Sequence, residues 1–339
     1  MKRLLSISSL LFGIAVAEPV AIPLPDSPLP DDRTVVWSPL FPATWDALKE
    51  QTGPLVSVDP PNPTITGLEA FRFDRKTVFP ETSWKTWSGP STQEFLATVN
   101  SEAAEMLGEP KGPFQLSIID PANRVAFGLL NHRIEFRRPL HRSKKIPMKF
   151  KSGQAETDVA FFGTKGKHPS VEVLAWNAAE RFHALKLHDN HSDAGIILYL
   201  PPAPMDLRTA WTKVMEIQKK PEMFIALGDK DEVRIPYLDL KSESDLTSYF
   251  TGTIRFGKLE PTSQFQARQL TLFKLHEKGA EVRVETAMDP FAGGPPEPRH
   301  FIYDRPFFVF MAKKDAEWPY FGAWIATTDG MEPFSAAAK

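Results

Sequence analysis

The densest group of potentially reactive side chains in this 339-residue sequence is His183, His188, Asp189, His191 and Asp193. Imidazoles and carboxylates can hold a divalent cation when two share one face and a third ligand arrives from elsewhere. Yet His188-Asp189-Asn190-His191 lies between two apolar runs, where a polar turn is expected, and the sequence assigns it as a solvated turn. Gly163-Thr164-Lys165-Gly166-Lys167 lacks the spacing of a phosphate-binding loop, and no helical pattern follows it. Neither a Gly-x-Ser-x-Gly elbow nor a His-Glu-x-x-His pair occurs. With no cysteine, thiol nucleophiles, thiolate metal sites and disulfides are excluded. Acidic pairs such as Asp31-Asp32 fall in polar surface stretches. No catalytic residue, metal ligand or cofactor is assigned, and the chain is not read as an enzyme.

A different chemistry, being cut, is offered by residues 289–297. They are rich in Pro and Gly, with Phe291 the only aromatic, and Pro290, Gly293, Gly294, Pro295, Pro296 and Pro298 break regular structure. Strand patterns stand on both sides. Leu270, Leu272 and Phe273 begin an apolar run. From Gly279 the chain alternates, with Ala280, Val282, Val284 and Thr286 on one face and Glu281, Arg283 and Glu285 on the other. Beyond the break, residues 301–311 and 320–325 read as near-continuous buried strands.

The order and spacing of five features here resemble the C-terminal part of the serpins: Glu277-Lys278-Gly279, the loop to Arg299, Phe301, Asp304-Arg305-Pro306-Phe307, and Phe321-Gly322. Thr34-Val35-Val36-Trp37-Ser38-Pro39, leading into a helix through Trp45, Ala47 and Leu48 that stops at Gly53, is similar to the family's entry into the helix behind its main sheet. Phe127-Gly128-Leu129-Leu130-Asn131 resembles its apolar strand ending in Asn, although the Gly and Trp that usually follow are replaced by Arg137-Arg138-Pro139-Leu140. The resemblance covers residues 34–38 and 125–326 and is weak or absent over 55–110. It implies an α+β serpin-like fold with a large central mixed sheet, two smaller sheets, flanking helices and an exposed reactive loop.

Composition agrees with a loop-rich β or α+β protein. Proline accounts for 32 of 339 residues, against an ordinary ~5%, and apolar residues make up 42%, enough for a sizeable core. The net charge of −2 argues against nucleic acid as a partner. Lys2 and Arg3, the apolar residues 4–16 and Ala15-Val16-Ala17 read as a signal peptide over 1–17, too short to span a membrane. A Pro-rich leader is expected over 18–33, a domain over 34–331 and a tail over 332–339. The product would be secreted or periplasmic, without a membrane span. Ser91 and Glu94 form a capping box before a helix carrying Phe95, Leu96, Val99, Ala103, Met106 and Leu107 and ending at Gly108. That helix resembles the one lying across the front of the serpin main sheet. Residues 114–119 and 125–131 read as strands, and Asp206 caps a helix that ends at Lys219-Lys220-Pro221. Asp245-Leu246 resembles a family helix start. The stretch 55–87 supports no assignment.

What the resemblance implies functionally is a suicide-substrate inhibitor of a serine or cysteine protease. The reactive loop, about 279–300, is cut and then enters the main sheet as a strand, with no cofactor. Its hinge would be Glu277, Lys278, Gly279, Ala280, Glu281 and Val282. Its scissile region would be Met288, Phe291, Ala292, Gly293 and Gly294. The sheet would open at Ser38, Asn131 and Gln269, with Phe41 replacing the family's second serine and Gln269 its usual histidine. Val282 and Val284 stand where inhibitory members show Ala or Gly, which favours slower insertion and leaves a non-inhibitory serpin-fold binding protein as the alternative. Arg133, Arg137, Arg138, Arg142, Lys144, Lys145, Lys149 and Lys151, against Glu135 alone, make 133–151 a candidate polyanion site or a lysine-guarded strand edge.

Overall fold

The computed structural model describes residues 18–116, 119–143, 145–219, 226–260, 267–278 and 297–335. Strand β1 (Val20–Ala21) lies within the Pro-rich leader, where Ala21 and Ile22 are buried, and β2 (Val35–Trp37) follows. Helix α1 (Leu40–Thr52) buries Ala43, Trp45, Ala47 and Leu48, and ends at Gly53, whose φ of 80° suits a residue without a Cβ. The unassigned stretch forms β3 (Leu55–Asp59), α2 (Pro63–Ala70), α3 (Arg75–Val78) and β4 (Trp84–Ser91). Helix α2 has a readable start: the Asn62 side chain accepts from the Ile65 amide at 3.1 Å, and Pro63 opens the first turn.

Helix α4 (Gln93–Leu107) closes at Gly108 as expected, but its cap is Thr92, whose hydroxyl accepts from the Phe95 amide at 3.2 Å. Ser91 is instead the last residue of β4, one place too early for that bond. The strand expected over 114–119 does not form at residues 114–116. The Asn100 side chain takes both the Phe114 amide (2.9 Å) and its carbonyl (3.0 Å), leaving neither for a ladder. The chain continues through β5 (Asp120–Leu130), β6 (His141–Arg142), β7 (Met148–Ser152), β8 (Ala155–Val159), β9 (Phe161–Lys165), β10 (Val171–Asn177), β11 (Phe182–His188) and β12 (Gly195–Leu200). Helix α5 (Leu207–Lys219) is started by Asp206, which accepts from the Thr209 amide at 2.8 Å.

Next come β13 (Glu232–Pro236), β14 (Leu238–Asp245), a single 3₁₀ turn at Thr247–Tyr249 where a helix was expected, β15 (Thr253–Phe256) and β16 (Arg268–Leu275). Asp245 ends β14 and its carboxylate accepts from the Thr247 amide at 2.9 Å. The last strands are β17 (His300–Ile302), β18 (Phe307–Ala312) and β19 (Phe321–Ile325). The run 301–311 is thus two strands, split at Asp304-Arg305-Pro306, where proline has no amide for a ladder.

Seven strands form one sheet in the order β1-β2-β19-β18-β12-β11-β10, antiparallel except for the parallel pair β1–β2. Its centre, β12, β18 and β19, is fully buried, which explains the continuous apolar runs. Helix α5 covers it, with Trp211 meeting Phe310 edge-on at 5.3 Å. A second sheet runs β17-β13-β9-β6. Four two-stranded ribbons complete the pairing, β4–β5, β14–β16, β3–β15 and β7–β8. The first is sandwiched. Gly128 of β5 lies against Leu40 and Thr44 of α1, while Trp87 and Phe127, one step along, face Phe95 and Val99 of α4. Phe41 and Trp45 of α1 also meet Phe250, just beyond β14. No helix among the described residues is long and apolar enough to cross a membrane.

Candidate functional site

Glu277 and Lys278 of the expected hinge are described. Gly279, Ala280, Glu281 and Val282, and the scissile candidates Met288, Phe291, Ala292, Gly293 and Gly294, lie outside the described residues, as does the stretch 1–17 expected to be a signal peptide. The site is therefore built from the two ends that flank 279–296.

At the near end, Glu277 follows β16 and is tied in two ways. Its carbonyl accepts from the Leu140 amide at 3.1 Å, and its carboxylate accepts from the Tyr237 hydroxyl at 2.5 Å. The Arg142 guanidinium stacks on the Tyr237 ring at 4.7 Å and pairs with Glu332. Burial alone would raise the Glu277 carboxyl. The Tyr237 hydroxyl, its own backbone, His276 and Arg142 outweigh that and hold it below the usual carboxylate range. Burial and the Glu277 charge push the Tyr237 hydroxyl far up, so it stays a donor. A shallow cleft of about 550 Å³ opens here, lined by Arg142, Tyr237, Lys274, Glu277, Lys278 and Glu332.

At the far end, Arg299 precedes β17. Its guanidinium donates to Asp231 at 2.6 and 2.9 Å and to the Ala226 carbonyl at 2.8 Å, and its amide donates to Asp231 at 2.9 Å. Asp231 is only 3% exposed and also accepts from the Gly228 amide at 2.8 Å. Burial opposes its charge, but Arg299 and the two amides prevail and hold the carboxyl down. Asp231 and Tyr237 flank β13, so the anchors stand about 20 Å apart along the strand. The chain between them could reach roughly 70 Å.

The three sheet-opening candidates have separate partners. Ser38 donates to the Tyr320 carbonyl at 2.7 Å, Asn131 to the Met106 carbonyl at 2.7 Å, and Gln269 to the Thr271 hydroxyl at 3.1 Å. Beside Asn131, His132 receives or donates a bond with Ser83 at 2.9 Å and meets the Tyr320 ring edge-on at 5.3 Å. Burial lowers its pKa. Sequence reading missed His132, and also Tyr237, Asp231 and Glu332, because none carries a local motif.

The histidines disperse. His183 is buried edge-on against Phe301 and Tyr303, His188 pairs with Glu172 at 2.8 Å, and His191 pairs with Glu135 at 2.8 Å. Asp189 is buried, accepting from the Glu135 amide and the Ser192 hydroxyl. Among the described residues no three His, Asp or Glu side chains are arranged to hold a metal ion. In the basic stretch Lys149 and Lys151 both turn to Glu156, at 2.6 and 3.9 Å, and Arg142 to Glu332; Arg133, Arg137, Arg138 and Lys145 stand exposed.

Among solved structures the chain resembles thyroxine-binding globulin in complex with thyroxine, at 14% identity and a TM-score of 0.55 over 88% of this chain and 93% of that one. It also resembles human glycosylated kallistatin, at 12% identity and a TM-score of 0.56 over 87% and 92%. Both neighbours are serpins, and the likeness shows the fold. No family model matches the chain, and no curated protein matches it in sequence.

Proposed function

We propose that this serpin-fold chain is an exported protease inhibitor that offers residues 279–300 as bait. The nucleophile of a serine or cysteine protease attacks a peptide carbonyl in the bait, the new amino terminus leaves, and the protease is held as an ester or thioester. The cut segment then enters as a new strand between the β4–β5 and β14–β16 ribbons, carrying the protease with it before water completes hydrolysis. The energy comes from new backbone hydrogen bonds and burial in a fold that was kinetically trapped.

The observation that carries this reading is the pairing of the ribbons. Among the described residues, β5 pairs only with β4 and β16 only with β14, leaving each with one unpaired edge. An unpaired strand edge is a template for one more strand. The two anchors support the reading as well, since they fix both ends of a segment much longer than their separation.

The test is to challenge the protein from Glu18 onward with a panel of serine and cysteine proteases. A covalent complex on a denaturing gel, with the cut mapped between 286 and 298, is expected. Clean nicking without a complex and without a rise in melting temperature would overturn inhibition. The second reading, a binding protein whose loop does not insert, draws on Val282 and Val284 at inward hinge positions. One structural neighbour is a thyroxine-binding protein, so a small-ligand screen belongs beside the protease panel. Arg133, Arg137, Arg138 and Lys145 are the residues to test for polyanion binding.

A further inference from the structure

We infer that residues 330–335 form a strap that locks the root of the 279–296 segment, with Arg142 and Tyr237 as the positioning residues between strap and root. The strap is held on both sides by backbone. The Asp239 amide donates to the Gly330 carbonyl at 2.6 Å and the Glu332 amide to the Tyr237 carbonyl at 3.3 Å. On the other side the Ala160 amide donates to the Glu332 carbonyl at 2.8 Å, and the Phe334 amide to the Asp158 carbonyl at 3.3 Å. The strap thus bridges the end of β8 and the start of β14.

Tyr237 is gripped twice by one strap residue. Its carbonyl accepts from the Glu332 amide, and its ring carries the Arg142 guanidinium that Glu332 pairs with. Its phenol is thereby aimed at the Glu277 carboxylate. Strand β6 contributes to the same lock, because Leu140, just before it, binds the Glu277 carbonyl while Arg142 sits on Tyr237. A tyrosine at 5% exposure has few other orientations, and a ring fixed by stacking keeps its hydroxyl in place. Removing Glu332 frees the guanidinium, and the phenol loses its rigid support without any change at Glu277 itself.

The consequence for the bait rests on the proposed function: a locked root raises the barrier to joining the sheet until the chain is cut. The lock itself does not rest on it, and the experiment measures the lock alone. Hydrogen exchange on the full mature chain would follow the Leu140 amide and the amides of residues 276–278 in Glu332→Gln, Tyr237→Phe and the double variant. In Tyr237→Phe these amides should exchange about tenfold faster, as expected for losing one hydrogen bond to a charged group. Glu332→Gln should accelerate the same amides, and the double variant should go no faster than Tyr237→Phe, because both changes break one chain of contacts. Unchanged exchange in Glu332→Gln, additive effects in the double variant, or acceleration spread evenly over the seven-stranded sheet would each overturn the inference. A protein that forms no protease complex but shows the coupled exchange retains the lock and loses only the bait reading.

Discussion

Arg299 gives Asp231 three hydrogen bonds, two from its guanidinium and one from its own amide, and so ties the start of β17 to the start of β13. Asp231 is almost wholly buried, so Asp231→Asn leaves the guanidinium facing a neutral group. Breaking one partner of a buried pair costs about 3 kcal/mol or more. Denaturant unfolding should show that loss at neutral pH, and a loss under ~0.5 kcal/mol would mean the pair is not structural. The Asp231 pKa is depressed below the usual 3.8. Its contribution is therefore complete above 3.8 and disappears as the pH falls through the lower folded value, so wild type and variant should converge in strong acid.

His183 sets the acid limb at higher pH. Burial, assisted by the Arg305 charge, pushes the imidazole from the usual 6.5 down to about 3, and its Nε2 is buried without a partner. The unfolded chain takes up a proton near 6.5 while the folded one does not. Stability therefore falls as the pH drops from 6.5 towards 3, by up to about 1.4 kcal/mol per pH unit. His132 and His168 are lowered by burial too and act in the same direction. His183→Phe fits the aromatic surroundings of Phe301 and Tyr303 and should flatten the melting temperature between pH 6.5 and 4. An unchanged slope would show that other groups carry it.

These two residues mark what a sequence makes legible. His183 is visible only as one of five polar residues in a tight span, which suggests a turn or a ligand set; in fact β11 carries it into the core, Asp189 is buried on bonds of its own, and His191 and Asp193 stay exposed. Asp231 has nothing local to distinguish it from any loop aspartate, since its partner is far along the chain. The same holds for Arg142, which reads as one charge of a basic stretch until Tyr237 and Glu332 are seen beside it. By contrast β18, β19, α1 and α5 were legible because burial on every face leaves a continuous apolar run, and because caps are local bonds. Strand β1 was hidden for the opposite reason: in a Pro-rich stretch, the Ala21 amide finds the Ser244 hydroxyl at 2.7 Å, a contact no local pattern encodes.

Gly128 controls how closely the β4–β5 ribbon approaches α1. A Cβ there would stand 2.2 Å from the Thr44 hydroxyl and 3.1 Å from Leu40. Gly128→Ala should therefore push ribbon and helix apart at a cost of about 1–3 kcal/mol, the range for overpacking. Thr44→Ala in the same chain removes the nearer clash and should recover part of the loss, although it also gives up the Thr44 bond to the Leu40 carbonyl at 2.8 Å. Unfolding curves of the three variants decide the matter, and a Gly128→Ala protein as stable as wild type would show that the ribbon yields freely.

The hinge sequence decides between the two proposed functions, and it can be edited. If the segment inserts as proposed, Val282 and Val284 would take the inward positions of the alternating pattern, where a strand entering a packed sheet must fit beside its neighbours. Each oversized side chain there costs about 1–3 kcal/mol at the step that competes with hydrolysis. Shrinking both, as Val282→Ala with Val284→Ala, should raise the fraction of protease trapped as covalent complex relative to nicked product. Replacing Ala280 by Asp should abolish trapping while leaving cleavage intact, because a buried carboxylate would oppose insertion and not acylation. Stoichiometry of inhibition, read by titration of the protease active site, gives both numbers. If the double alanine variant partitions as the wild type does, the hinge is not what limits the reaction, and the binding reading gains the ground that the inhibitor reading gives up.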